Sequence, residues 1–311
     1  MSSDSENAPN LENLSLEKLS PELMAQVSQA LAYPVIPLCP DGRQLGSGVL
    51  VEVDGVSGIL TAEHVIFDER FQKATGLWTV PHLYSEEARD KPTTHFTSTN
   101  IQMDLLRWFP ETPQLNSTEW GPDLAFIRIP KGTKFETSLR AVRNFYSLAR
   151  GPDSRIRTLN ERDTILAVIG APGETSQVTA TLTDIRGVLQ VTAFLAAGFE
   201  PKARGEYDYV DVPVDYESGV KLPKSFVAVS GGAVWSLVNP QNPDMHEFIS
   251  TDYALVGIAF YQDLESPEPF VRSHGAISLY KKFLPELREW LQKPGEIKTS
   301  FSASLFRKQE S

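Results

Sequence analysis

Cysteine is almost absent from this chain: Cys39 stands alone among 311 residues. One thiol cannot close an internal disulfide, and it cannot supply a multi-cysteine zinc site. Long apolar runs are missing too, and none approaches the roughly 20 residues that cross a bilayer as a helix. The opening MSSDSENAPN has neither a basic start nor an apolar stretch, so no secretory signal is expected. Positive charge is scarce, with 29 Lys and Arg against 40 Asp and Glu, and the net charge of −11 argues against a nucleic-acid partner. The histidines show no i, i+4 zinc pairing. Gly170-Ala171-Pro172-Gly173-Glu174-Thr175-Ser176 lacks the lysine and spacing of a phosphate loop. Cys39, beside Pro40, has no basic neighbour to activate it. These absences lead to the expectation of a soluble, cytoplasmic protein with no cofactor, no metal, and neither nucleic acid nor membrane as partner.

What is present is globular: 41% hydrophobic and 22% charged residues. Residues 1–19 are polar and acidic and read as a disordered tail. Ser20-Pro21-Glu22 caps a short predicted helix over 21–31, carried by Leu23, Met24, Val27 and Leu31. Short Val/Ile/Leu runs then follow, separated by Gly, Pro, Asn and Asp. Gly48–Val53, Asp54-Gly55 and Ile59–Thr61 make the clearest hairpin. Further strands are predicted at Leu124–Ile129, Thr164–Ile169, Gln177–Leu182, Gly187–Phe194, Tyr207–Val214, Ala233–Leu237 and Leu255–Phe260. Such a series, without alternating helices, predicts an all-β sandwich or barrel. Residues 66–122 are poor in pattern and leave room for loops and extra strands, 150–163 read as a linker, and 262–272 as an acidic loop. Phe283, Leu284, Leu287, Trp290 and Leu291 predict a final amphipathic helix from Pro285, before a loose tail at 294–311.

Three stretches can carry chemistry. Leu60-Thr61-Ala62-Glu63-His64-Val65 leaves the hairpin, Gly121-Pro122-Asp123-Leu124-Ala125 enters a strand, and Ser230-Gly231-Gly232 runs into another. Each alone has a plainer explanation: a packed histidine, a turn aspartate, a flexible turn. Together they set His, Asp and Ser at strand edges, in that order.

On these stretches the chain resembles the trypsin-like, chymotrypsin-fold serine peptidases, particularly the disulfide-free bacterial ones. Gly46-Ser47-Gly48, Ile165–Pro172 and Leu255–Ala259 add to the likeness, which spans roughly residues 35–290. The resemblance implies two antiparallel six-stranded β-barrels, with a short N-terminal and a C-terminal helix. The first barrel, with the N-terminal helix, would occupy 20–150 and carry His64 and Asp123; the second, with the C-terminal helix, would occupy 151–293 and carry Ser230. It also implies a serine endopeptidase acting on protein or peptide substrates. His64 would be the general base, Asp123 its orienting acid and Ser230 the nucleophile, with an oxyanion hole from the N–H groups of Ala228 and Ser230.

Two departures bear on that reading. The family usually has glycine where Ala228 stands, which puts the oxyanion hole in question. Val229 replaces the aspartate that pairs with a newly cut N-terminus in many secreted members, so no such zymogen step is expected. Asp104 is a second acid within range of His64, but it lacks the turn-to-strand entry of Asp123. By counting along the family pattern, Lys224, Gln262 and His274 fall around the specificity pocket; a cationic pocket would favour an acidic residue before the cut, and a solvated Lys224 is the plainer alternative. Two rival readings remain: an inactive trypsin-fold binding or scaffold module, and an esterase-like or self-processing use of the same residues. A regulatory protein partner is the expected restraint on an active cytoplasmic enzyme, with 66–122 and 262–272 as candidate surfaces.

Overall fold

Asp54 and Gly55 turn the chain as their sequence demands. In the computed structural model they have φ of 49° and 82°, the paired positive values of a type I′ hairpin turn. The structure describes residues 30–79, 99–114, 120–149, 165–174, 177–180, 185–188, 192–197, 200–216, 222–237 and 253–293.

The first sheet is built from β1 (Val35–Pro40), β2 (Gly46–Val53), β3 (Val56–Thr61), β4 (Gly76–Thr79), β5 (Thr99–Gln102), β6 (Arg107–Phe109), β7 (Ala125–Arg128) and β8 (Tyr146–Ser147). Its order is β5-β4-β1-β2-β3-β7-β6, with β8 added in parallel to β2. Along the chain follow β9 (Ile165–Gly170), β10 (Gln177–Ala180), β11 (Ile185–Val188), β12 (Thr192–Ala197), β13 (Glu200–Arg204), β14 (Tyr207–Pro213), β15 (Ala233–Leu237), β16 (Tyr253–Asp263) and β17 (Phe270–His274). β10 and β11 form a separate ribbon, and the others make a second sheet ordered β12-β9-β15-β16-β17-β14-β13. Apart from β2–β8, the pairs are antiparallel. They are accompanied by the helices α1 (Glu63–Phe67), α2 (Glu69–Lys73), α3 (Lys134–Arg140) and α4 (Leu284–Gln292).

Strand alternation sorts the side chains into three cores. Leu50, Ile59 and Ile127 face the interior of the first sheet with Ile36, Leu38 and Phe71. Val168, Val234 and Val256 fill the second with Val210 and Val212. Their sequence neighbours Val49, Val51, Leu60, Phe126, Ile169, Trp235 and Leu255 point the other way, into a seam shared by both sheets. Leu284, Leu287 and Trp290 of α4 close that seam, and Trp290 packs 5.9 Å from Phe109, centroid to centroid. Both faces of the central strands are thus buried, which is why they read as continuous apolar runs. The architecture is the chymotrypsin-like double barrel.

Several expectations change in detail. Among the described residues the sheets carry eight and seven strands rather than six each, and the first includes the short β4, β5 and β8. The single strand predicted at Gly187–Phe194 is two: β11 stays with the β10 ribbon, and β12 crosses to pair with β9. Much of the predicted acidic loop borders strand, since β16 runs to Asp263 and β17 starts at Phe270. The final helix begins before Pro285, with a π-helical turn over Ser278–Phe283. Asp208 accepts from the N–H groups of Ile277 and Ser278, at 3.0 and 2.6 Å, and anchors that start. Of the predicted first helix, residues 30 and 31 are helical, and the helix runs on to 32; its remainder, the tails and the 150–163 linker lie outside the described residues.

Candidate active site

β3 pairs with β7, matching Thr61 to Ala125. That register brings the start of α1, just after β3, beside Asp123, just before β7. Asp123 is fully buried and grips His64 twice. Its Oδ1 accepts the His64 backbone N–H at 2.9 Å, and its Oδ2 lies 2.6 Å from Nδ1. With Nδ1 donating, Nε2 is the basic atom of the ring. Burial opposes charging this ring, but the Asp123 hydrogen bond and charge outweigh it, with Asp68 and Glu63 adding, and its pKa is raised above 6.5.

Ser230 precedes β15 and lines the same 460 Å³ cavity as His64 and Asp123. Its hydroxyl is directed to the Phe260 carbonyl at 3.5 Å, rather than to His64. Catalytic hydrogen bonds often tighten only around substrate. Gly231 follows at φ +86°, where an added Cβ would lie 2.0 Å from the Ser47 carbonyl, so only glycine fits.

The backbone before Ser230 is strained. Phe226 O accepts from Val229 N–H at 2.9 Å, closing a turn in which Ala228 has φ +70°. Positive φ at the third position alone is the type II turn, which favours glycine there; alanine costs on the order of 1 kcal/mol. Val227 O is held by Gly173 N–H at 2.8 Å. A trans peptide sets its carbonyl and N–H on opposite sides, so the Ala228 N–H faces away from Gly173. Among the described residues, neither the Ala228 nor the Ser230 N–H has an acceptor.

The other sequence candidates scatter. Gln262 lines the cavity, but its Oε1 is taken by the Phe226 N–H at 2.8 Å. Lys224 is exposed and does not line the cavity, so the cationic pocket is not formed by it. His274 is no pocket wall either: it is completely buried, and its Nε2 accepts the Asp123 backbone N–H at 2.9 Å. Its ring stacks on Phe260 at 4.6 Å, and burial lowers its pKa to about 4. β17 registers His274 against Ile258 and Tyr209, which turns it inward behind Asp123. Asp104 is exposed on a 3₁₀ turn.

Sequence reasoning missed Ser47 as a connecting residue, although it quoted the Gly46-Ser47-Gly48 stretch. Its partners lie 124 and 181 residues away, beyond any local pattern. It also missed the Asp68–Arg70 pair at the cavity, joined at 2.9 Å. Besides His64, Asp123, Ser230, Gln262, this pair and Tyr261, the cavity lining is apolar, with Leu45, Phe226, Val227, Val229 and Val271 among it. Among the described residues no group of three His, Cys, Asp or Glu side chains could hold a metal ion.

The sheet topology is that of the trypsin-like serine protease fold. Neither a protein-family model nor a curated protein sequence matches the chain. It is similar to a structure of the HtrA-type protease AlgW with a tripeptide, at 16% identity and a TM-score of 0.43, over 86% of this chain and 63% of that one. A variant of that protease gives 15% identity and the same TM-score, over 86% and 64%. Human heparin binding protein is similar at 14% identity and a TM-score of 0.45, over 86% and 95%. The chain spans just under two thirds of the length of the HtrA-type structures it matches.

Proposed function

We propose that this chain is a serine endopeptidase of the disulfide-free, trypsin-like kind, hydrolysing protein or peptide substrates through Ser230, His64 and Asp123. The observation that carries the reading is the 2.6 Å pair between His64 Nδ1 and a fully buried Asp123, opening on the cavity that Ser230 lines. In this reading the Ser230 hydroxyl leaves the Phe260 carbonyl when substrate arrives. His64 Nε2 takes its proton as Oγ attacks the scissile carbonyl, then returns it to the leaving amine. Asp123 fixes the tautomer and stabilises the imidazolium. The N–H groups of Ala228 and Ser230 receive the negative oxygen, each worth about 3 kcal/mol in such holes. Water then releases the acyl group from Ser230.

The apolar lining around Phe226, Val227 and Val271, with Lys224 outside it, favours a substrate with an apolar side chain before the cut. Burial pushes the Cys39 thiol up to about 12, which leaves it inert. The test is hydrolysis of a peptide series varied at the residue before the cut. Apolar residues are expected to be turned over at least tenfold faster than Asp, Glu, Lys or Arg; equal turnover removes the specificity. The 3.5 Å contact of Ser230 with Phe260 O favours a second reading, a binding module with an idle serine. That reading predicts peptide capture without hydrolysis.

A further inference from the structure

Alanine is out of place in the turn before Ser230. The third position of a type II turn needs positive φ, which glycine adopts freely and alanine does not. An L-residue relaxes by adopting type I, which keeps the ends of the turn and the Phe226–Val229 hydrogen bond but rotates the middle peptide by half a turn. That rotation would swing the Ala228 N–H to the side where the Val227 carbonyl now points. Left to alanine's preference, the donor would be lost from the site.

One contact opposes the rotation directly, and Ser47 ties its donor loop to the peptide that follows the turn's middle one. The middle peptide is held by Gly173 N–H on Val227 O, at 2.8 Å. The next peptide is held by Ser47 Oγ, which donates to Ala228 O at 2.8 Å. The same Oγ accepts from Ala171 N–H at 2.9 Å, two residues before Gly173, so Ser47 also fixes the loop that supplies the first contact. Its own backbone is tied in turn. Ser47 N–H donates to Ser230 O at 2.8 Å, and Ser47 O accepts from Thr61 Oγ1 at 2.7 Å. The side chain is wholly buried, so water does not compete for these bonds.

Resting on the peptidase reading, we propose that Ser47 is a positioning residue for the oxyanion hole: its buried hydroxyl joins the 170–174 loop to the 226–229 turn and holds Ala228 in the strained form that presents its N–H beside Ser230. Serine at 47 and alanine at 228 act as a pair. A glycine at 228 needs no clamp, and an alanine there fails without one.

The experiment is a double-mutant cycle on the full chain with Ser47→Ala, Ala228→Gly and both together. Two readouts are taken. One is the rate of Ser230 labelling by a fluorophosphonate. The other is the NOE from Val227 Hα to the amide proton of residue 228, short-range in a type II turn and long in type I. Wild type should show the strong NOE. Ser47→Ala removes both buried hydrogen bonds of that hydroxyl; it should weaken the NOE and slow labelling by about tenfold or more, with KM for a peptide substrate unchanged. Adding Ala228→Gly should restore both readouts. A weak NOE in wild type, an unaffected Ser47→Ala, or a double variant as slow as Ser47→Ala overturns the proposal. If the NOE follows the expected pattern across the cycle but wild type never labels, the clamp stands and the peptidase reading falls. Should Ser47→Ala fail to fold, the wild-type NOE and the double variant still decide.

Discussion

Two histidines with opposite tasks flank one aspartate. His64 has its pKa raised: burial works against the charge, but Asp123, Asp68 and Glu63 prevail. A general base must be neutral, so kcat/KM should rise with pH through a midpoint above the ordinary 6.5. Asp123→Asn should cost roughly 10³–10⁴ in rate and move that midpoint down; a pH–rate profile of both proteins checks this. His274 instead stays neutral and accepts the Asp123 N–H through Nε2. His274→Phe keeps an apolar ring against Phe260 but leaves that N–H without its partner. Labelling of Ser230 should slow about tenfold, and far-UV circular dichroism should show the fold retained.

At the scale of elements, turns separate strain from collision. Gly55 has φ +82° with open space around it, whereas Gly231 has φ +86° and two oxygens within 2.1 Å of an added Cβ. Gly55→Ala should therefore cost about 1 kcal/mol in urea unfolding and leave activity unchanged. Gly231→Ala should abolish labelling and destabilise by more than about 2 kcal/mol. The same distinction governs what the sequence makes legible. The hairpin at Asp54-Gly55 and the runs of β9, β15 and β16 are readable because both their faces are apolar. β4, β5 and β6 are too short to set a pattern. β17 hides because Arg272 lies inside it, neutralised by Asp211 at 2.7 Å and stacked 3.9 Å from Trp120. His64, Asp123 and Ser230 could be picked out because each stands at a strand edge in a recognisable order. The roles of Ser47 and His274 could not, since both depend on hydrogen bonds between distant segments.

Across the whole molecule, the candidate site straddles two sheets. His64 and Asp123 come from the first and Ser230 from the second, so the assembly of the candidate site depends on the seam packed by Trp235, Phe126 and Trp290. His274 Nε2 on Asp123 N–H and Tyr209 Oη on Gly121 O, at 3.0 Å, tie the aspartate loop to the second sheet. This linkage gives stability a pH dependence. The pKa of His274 is lowered from 6.5 to about 4 by burial, with Asp123 and Asp208 opposing. A group depressed on folding favours the native state fully above its unfolded value. That contribution is lost as pH falls from about 6.5 toward 4, because the unfolded chain takes up the proton first. Thermal melts across this window should show Tm falling in wild type and a shallower fall in His274→Phe.

The central claim is that Ser230 is an activated nucleophile, and a fluorophosphonate probe reads that most directly. Purified protein is treated beside Ser230→Ala and His64→Ala, and the label is located by mass spectrometry. An activated Ser230 gives a single label at that residue in wild type and none in either variant. A folded wild type that stays unlabelled, or that labels equally without His64, would contradict it.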